Sequence, residues 1–467
     1  MGLSNNIDVA KNSIRRVSTP GAKFVQTMDD TALANPFQIS PRLNVPGVPI
    51  GVQYAFGPSR PWGIDNWLLK KKNVTNANIV MVLGDIGIGK TSTAKLICLA
   101  YAGLSVKGNR YLRIAVDDTR RNDGVPEYGA LTNALGEEQI MLADYKINPL
   151  DFVLGLAQSE QLAIIRGICE QDSPRIKPME KFALRTALRV LIAMNPHNAS
   201  LKTLAGELLK QSMGTSAVGR SGVLANKNVR RQFKMASAEM WIRLDNILEG
   251  EYGDVFGDDH NLAEVLSRRV VSLNYTGLPE EALPLIQAIM WRIRTSALKR
   301  DDVRFKIDLE VHDENHKMWE NLAYANAMYD HIKKIRQTGS VLIMLSHRLN
   351  DYYSVGAEGS TQRSKATNMV KDVSAWFIGH QNPDNIPELR ERLGANVITT
   401  KVADMLTSLG VGEFCVILGQ QAPVFVRFHL TEEDKLICES NGANDSQLEN
   451  YETEEEEEQA NVELLEA

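Results

Sequence analysis

Hydrophobic positions along this chain fall into two rhythms. Short apolar runs at Ile79–Leu83, 111–116, Val270–Asn274, 341–345, Ala375–Ile378, 414–418 and Val424–Phe428 are bounded by polar or turn-forming residues and read as buried strands. Between several of them, apolar residues recur at three- and four-residue spacing, the period of a helix with one buried face. Strand alternating with helix predicts an α/β protein with a mainly parallel central sheet covered on both faces. One strand candidate breaks the rhythm: 305–311 alternates Ile307, Leu309 and Val311 with Asp308, Glu310 and His312. A strand buried on both faces reads as continuously apolar. The polar face of this one is therefore expected to be wet or to be covered by polar contacts.

The same rhythms divide the chain. Residues 1–73 carry repeated Pro and Gly and little helical periodicity, and are expected to be a short extended or loosely strand-like segment packed onto the core. The core is expected in two parts, 74–150 and 260–435, interrupted by a helical subdomain at 151–259 whose segments 181–194, 201–209 and 229–248 have helical spacing. Residues 436–467 form an acidic tail expected to be disordered.

The first strand run feeds the most informative motif. After Ile79–Leu83 come Gly84, Asp85, Ile86, Gly87, Ile88, Gly89, Lys90, Thr91 and Ser92, then a helix-compatible stretch. Gly-x4-Gly-Lys-Thr between a strand and a helix is a phosphate-cradling loop. Its glycines let backbone N–H groups turn inward, its lysine reaches the outer phosphates, and its threonine hydroxyl ligates Mg²⁺. The helix N-terminus adds a positive end. A nucleoside triphosphate and Mg²⁺ are the expected ligands.

Hydrolysis requires an acid at a neighbouring strand end, and the alternating strand leads into Asp313-Glu314. Asp313 is expected to hold the Mg²⁺ shell, and Glu314 to take a proton from the attacking water. The 341–345 strand ends in Ser346, His347 and Arg348, placing His347 where a γ-phosphate sensor or a satisfied strand-end histidine would sit. His312 and His316 flank the acidic pair, but with no cysteine at ligand spacing they do not make a zinc-type site. Asp117 or Asp118, at the end of the second strand, is expected to approach base, sugar or a subunit joint. Arg348, Arg363, Arg390 and Arg392 are candidate fingers for a neighbouring subunit's site.

Composition changes the picture little, and charge changes it more. Hydrophobic content of 43% and charged content of 24% are those of an ordinary globular protein. No apolar run has the length of a membrane span, and the N-terminus lacks the apolar core of a secretory signal. Cys98, Cys169, Cys415 and Cys438 are widely spaced, which fits a reducing cytoplasm. The net charge of −6 hides an asymmetry: beyond Lys435 there are eleven acidic residues and no basic one, so the rest of the chain carries 52 basic against 47 acidic residues. From Lys210 to Arg243, Lys210, Arg220, Lys227, Arg230, Arg231, Lys234 and Arg243 stand against the single acid Glu239. That bias suits a DNA backbone or a solvated helix face.

The order of segments resembles the conjugative and type IV secretion ATPases of the VirB-series fourth component, the TraC/TrbE type, within the FtsK–HerA superfamily of ring motors. The matching stretches are PWGIDNW (61–67), NANIVMVLGDIGIGKTSTAK (76–95), EYGALTNALGEEQIMLADYKINPLDF (127–152), RRVVSLNYTGLPEE (268–281), HDENHKMW (312–319), SVLIMLSHRLNDY (340–352) and LGVGEFCVILGQQAPVFVRF (409–428). The resemblance covers roughly residues 60–430. It implies a RecA-like P-loop core, ATP with Mg²⁺, a homo-oligomeric ring, hexameric by analogy, and transfer of DNA or protein across an envelope. It also implies a cytoplasmic protein, peripheral at the inner face of the membrane and working with secretion-channel proteins. This chain departs from the family in lacking a large domain before the P-loop, in Asn315-His316 where Ala-Trp is usual, and in His347 where Gln is usual. A DNA translocase or packaging motor without an envelope channel, and a nucleotide-gated docking module with weak turnover, are the alternative readings.

Overall fold

The computed structural model describes residues 47–55, 59–107, 112–118, 126–170, 175–218, 222–250, 252–257, 262–297, 305 and 307–439. The first 46 residues, Arg220 and the tail beyond 439 lie outside that set. One sheet of eleven strands organises the protein: β1 (Val48–Gln53), β2 (Arg60–Ile64), β3 (Ile79–Leu83), β4 (Leu112–Asp118), β5 (Ile140–Met141), β6 (Val270–Asn274), β7 (Ile307–His312), β8 (Val341–Ser346), β9 (Ala375–Ile378), β10 (Glu413–Leu418) and β11 (Val424–Phe428). Their spatial order is β2-β1-β11-β10-β9-β3-β8-β7-β4-β6-β5. From β9 to β5 every pairing is parallel, and the four remaining strands add an antiparallel wing.

The strand period of two explains the layering. In β3, Val80 and Val82 enter one core with Ile97 and Tyr101 of the Lys90–Lys107 helix, while Ile79, Met81 and Leu83 enter the opposite core with Met328 and Ile332 of the Leu322–Thr338 helix. β8 divides likewise, Val341, Ile343 and Leu345 against Leu342 and Met344. The central strands read as unbroken apolar runs because both faces are covered.

β7 is the exception the sequence announced, and its polar face is dry. Leu309 and Val311 join the apolar core, whereas Asp308 and Glu310 are fully buried on the other face. Parallel register sets Arg113 of β4 beside Asp308 and Asp117 beside His312. Arg113 Nε and Nη2 donate to the two Asp308 oxygens at 2.7 and 2.9 Å. Arg294, from the Leu283–Ala297 helix, pairs with Asp117 at 3.0 Å and Glu310 at 3.7 Å. Trp291 Nε1 donates to Glu310 at 2.9 Å, and His331 meets its other oxygen at 2.8 Å. Burial opposes ionisation of Glu310, but His331, His312 and Arg294 hold its carboxyl well below the ordinary range. The charges are thus covered by one another rather than by water.

The helical insertion packs around a core that it shares with β6 and the Leu283–Ala297 helix through Val271, Leu273, Leu285 and Ile286. The Gln158–Cys169, Pro178–Met194, Leu201–Met213 and Lys227–Leu248 helices pack through Ile164, Leu184, Leu188, Leu204, Leu208 and Met240. Ser200 caps one of them by accepting from Thr203 N, and Gly214 ends it in the left-handed conformation. The stretch before residue 73, expected to be extended, supplies β1 and β2, and β1 zips onto β11 through Gly51↔Phe428. Among the described residues all four cysteines are buried and unbridged, and no helix is long and apolar enough to cross a membrane.

Candidate functional site

Parallel strands β3, β7, β8 and β9 end on the same edge of the sheet, and their exits converge there. β3 enters the Gly84-to-Thr91 loop at the centre of the sheet, between β8 and β9. Gly84, Gly87 and Gly89 have φ of 154°, 81° and 91°, values that only glycine adopts without strain. A Cβ on Gly84 would stand 2.2 Å from Ile88 Cδ1, so this position also needs the missing side chain. Ile88 is buried under the loop, whereas Ile86 points outward, 85% exposed. Three backbone bonds anchor the loop: Gly379 N to Leu83 O at 2.8 Å, Asp85 N to His380 O at 3.3 Å, and Gly412 N to Ile88 O at 3.0 Å. Ser92 is half-buried in the first turn of the helix that begins at Lys90.

Lys90 is folded back on its own loop. Its Nζ donates to Gly84 O at 2.9 Å and Asp85 O at 3.0 Å, and lies 3.2 Å from His347 Nδ1. These are the places a phosphate oxygen would take. Burial lowers the Lys90 pKa, with Glu314, Asp313 and Asp85 pulling the other way.

Asp313 follows β7 and faces the loop. A single oxygen, Oδ2, accepts from Thr91 Oγ1 at 3.2 Å and from Tyr128 OH at 3.1 Å. Burial and the neighbouring Glu314 push its carboxyl up to about 6, against those two hydrogen bonds. Thr91 and Asp313 present adjacent hard oxygen donors, the set that suits Mg²⁺, which keeps several waters and shares phosphate oxygens. Among the described residues there is no group of three or more His, Cys, Asp or Glu that could hold a metal ion.

Glu314 sits in the left-handed region at φ 50°, ψ 31°, which is strained for a side chain with a Cβ. His347 Nε2 lies 2.9 Å from its Oε1 and His316 Nδ1 3.5 Å from its Oε2. Burial opposes ionisation, but the His347 hydrogen bond and charge, then His316 and Lys90, hold the Glu314 carboxyl below its ordinary value. In return the Glu314 hydrogen bond raises the His347 pKa against burial and Lys90. Glu314 favours the charged ring and Lys90 the neutral one. An ammonium has only donors, so with Lys90 Nζ at Nδ1 the geometry is that of the neutral ring, its proton on Nε2 and aimed at Glu314.

Other sequence candidates fall elsewhere. Asp117 and Asp118 do not open toward a base, sugar or joint. Asp117 accepts from Tyr275 OH at 2.9 Å and pairs with Arg294 inside the buried cluster. Asp118, fully buried, accepts from Tyr128 N at 3.2 Å and from Gln139 Nε2, and burial pushes it up to about 6. His312 points inward, 3.0 Å from Asp117. Arg390 donates to Ile398 O at 3.0 Å and Arg392 to Val370 O at 2.9 Å, so both are spent within the fold, while Arg348 is exposed. In the basic segment, Arg243 is buried 3.7 Å from Glu180, Arg230 bonds Leu224 O, and Lys234 bonds Met213 O. Lys210, Lys227 and Arg231 remain exposed.

Sequence reasoning gave no role to three contacts at the site. Tyr128 braces Asp313, its neighbour Glu127 pairs with buried Lys95 at 3.3 Å, and His380 Nδ1 meets Asp85 Oδ2 at 2.9 Å. Glu127 and Tyr128 lie in the family-like EYGAL stretch, and His380 follows a strand that flanks β3. Those were the available signals.

No protein-family model and no curated protein matches the chain. Among solved structures, it is similar to VirB4 of Thermoanaerobacter pseudethanolicus, with a TM-score of 0.59 at 16% identity over 83% of this chain and 98% of that one. The plasmid coupling protein TrwB, in complex with a non-hydrolysable GTP analogue, matches with a TM-score of 0.49 at 13% identity over 90% and 92% of the two chains. Resting on the first of these, the chain has the fold of VirB4.

Proposed function

We propose that this protein is an ATP-hydrolysing ring motor, a homo-oligomer that energises transfer of DNA or protein across the cell envelope. The observation that carries the reading is the meeting of two strand exits. Thr91 of the phosphate loop and Asp313-Glu314 of β7 face each other, with Asp313 Oδ2 3.2 Å from Thr91 Oγ1. The order of steps comes from what each group can give up. Lys90 leaves the Gly84 and Asp85 carbonyls for the outer phosphates, which offer it stronger, charge-assisted hydrogen bonds. Thr91 and Asp313 would hold Mg²⁺, which neutralises phosphate charge when bound. With Lys90 drawn away, His347 is free to turn, and Glu314 takes a proton from the water that attacks the γ-phosphorus. The P–O bond to the β-phosphate breaks, giving ADP and inorganic phosphate. His347 acts as the sensor that holds Glu314 until phosphate arrives.

That same contact favours a second reading, a nucleotide-gated docking module with weak turnover, because His347 occupies one oxygen of Glu314. A packaging or translocating motor without an envelope channel is the third, and the exposed Lys210, Lys227 and Arg231 would then meet DNA. The deciding experiment is steady-state ATP hydrolysis by wild type and Glu314→Gln, with and without DNA, with ring formation followed by light scattering. DNA-stimulated turnover that disappears in Glu314→Gln, with rings present, supports a nucleic-acid motor. Turnover indifferent to DNA points to a secretion-energising ATPase. Equal, negligible rates in both proteins would remove Glu314 as the base and leave the docking module.

A further inference from the structure

Between the helical insertion and the core lies a cavity of about 630 Å³, walled by the Gln158–Cys169, Leu283–Ala297 and Leu322–Thr338 helices. Small-molecule sites have volumes of roughly 300–1,000 Å³. Arg166 enters from the insertion and Arg292 from the core, and Arg292 also lines an adjoining cavity of about 180 Å³. Neither residue belongs to the phosphate-loop site. Arg292 is half-buried, yet among the described residues its guanidinium makes no hydrogen bond and no ion pair. The Nε of Arg166 is buried without a partner, and the side chain's ion pair is a 4.0 Å contact with Glu170. Burial lowers the Arg292 pKa and Arg166 pushes it further down, against the pull of Asp330 and Glu160.

The distribution of charge within the cavity decides what it would take. Asp330 and Glu320 are exposed, where water serves them, and Glu170 is engaged by Ile176 N at 2.9 Å. That leaves two guanidinia facing the cavity from opposite sides, half-buried Arg292 and Arg166, whose side chain is 37% exposed, close enough to repel. A guanidinium carries five donors and no acceptor, and withdrawing one from water without an acceptor is costly. One carboxylate, with two oxygens, satisfies one bidentate fork. Two forks from different helices call for more oxygens than that. We propose that this cavity binds a small phosphate-bearing molecule, held by Arg166 and Arg292 across the seam between insertion and core.

The test uses the full chain, with inorganic phosphate as the probe and apparent melting temperature as the readout. Phosphate taken by the nucleotide loop is common to all variants and drops out of their comparison. Without phosphate, Arg292→Met is expected to melt at the same temperature as wild type or higher, since the unserved charge is gone. With phosphate, wild type should gain a few degrees more than Arg292→Met or Arg166→Met, as a ligand that binds only the folded state requires. Titration calorimetry should show one phosphate site fewer in either variant, with binding of a nucleotide analogue unchanged. An Arg292→Met protein that melts lower without phosphate would mean the charge already serves the fold. Equal phosphate gains in all three proteins would equally overturn the site.

Discussion

Strand β7 carries charge in two settings a few residues apart. Along its length, Asp308 and Glu310 are sealed in a cluster: Arg113 meets Asp308 at 2.7 Å, His331 meets Glu310 at 2.8 Å, and Arg294 stands 3.7 Å from Glu310. At its exit, Asp313 and Glu314 hold contacts with Thr91 and His347 that a ligand can replace. The cluster binds strand to helix; the exit pair is provisional, and its Glu314 is part-exposed and strained. One polar pattern in sequence therefore serves both rigidity and exchange, and burial of the partners separates the two.

The largest way to break the comparison is to strip a partner from the sealed half. Arg294→Met leaves Asp117 and Glu310 without their shared cation, and should cost about 3–5 kcal/mol in chemical denaturation. A change under about 1 kcal/mol would mean the cluster is no more committed than the exit. Asp118 tests burial near the site through pH. Its folded value of about 6 lies above the ordinary 3.8, so the native state binds the extra proton between those values. Stability therefore falls as pH rises through that window, and the loss is complete above it. Asp118→Asn removes the penalty, and its Oδ1 position has no partner to lose. It should raise stability by up to about 3 kcal/mol at pH 8 and by nothing near pH 4. A pH-independent difference would contradict the burial account.

The strain at the exit has a smaller signature. With the carboxylate gone in both, Glu314→Gly should be more stable than Glu314→Ala by roughly 1–2 kcal/mol, because only glycine enters the left-handed region freely. Equal melting curves would mean the backbone relaxes once the side chain is removed. The least effect is expected at His380 and Asp85, a half-exposed pair worth roughly 0.2–1 kcal/mol. His380→Ala should weaken analogue binding a few-fold by leaving a bare carboxylate in the phosphate loop. Adding Asp85→Asn should restore it, and a double variant as weak as the single would make His380 a backbone strap instead.

Much of the core was legible because its strands are buried on both faces, which writes unbroken apolar runs such as Ile79–Leu83 and Ala375–Ile378. The loop was legible because phosphate binding demands glycines at fixed places. β1 and β2 were hidden by Pro49, Gly51, Pro61 and Gly63, residues tolerated where ladder pairing is partial, near an edge. β5, with two residues, is too short to write a period. The alternation in β7 was visible, but its solution was not, since Arg294 and His331 arrive from helices on either side of it in sequence. Asp117 and Asp118 misled because a strand-end acid looks the same whether it faces a cleft or a buried arginine. The basic stretch misled in part for a related reason: a pattern counts charges and cannot see which of them cap carbonyls.

The Gly412 amide gives the phosphate loop a reporter of its own. It donates to Ile88 O, while Gly412 O accepts from Phe428 N at 2.9 Å, so one residue stitches the loop to the antiparallel wing. Slow exchange of that single N–H with deuterium would register each closing of the loop at a place that touches no phosphate. The wing would then feel occupancy through the backbone, without any side chain having to carry the message.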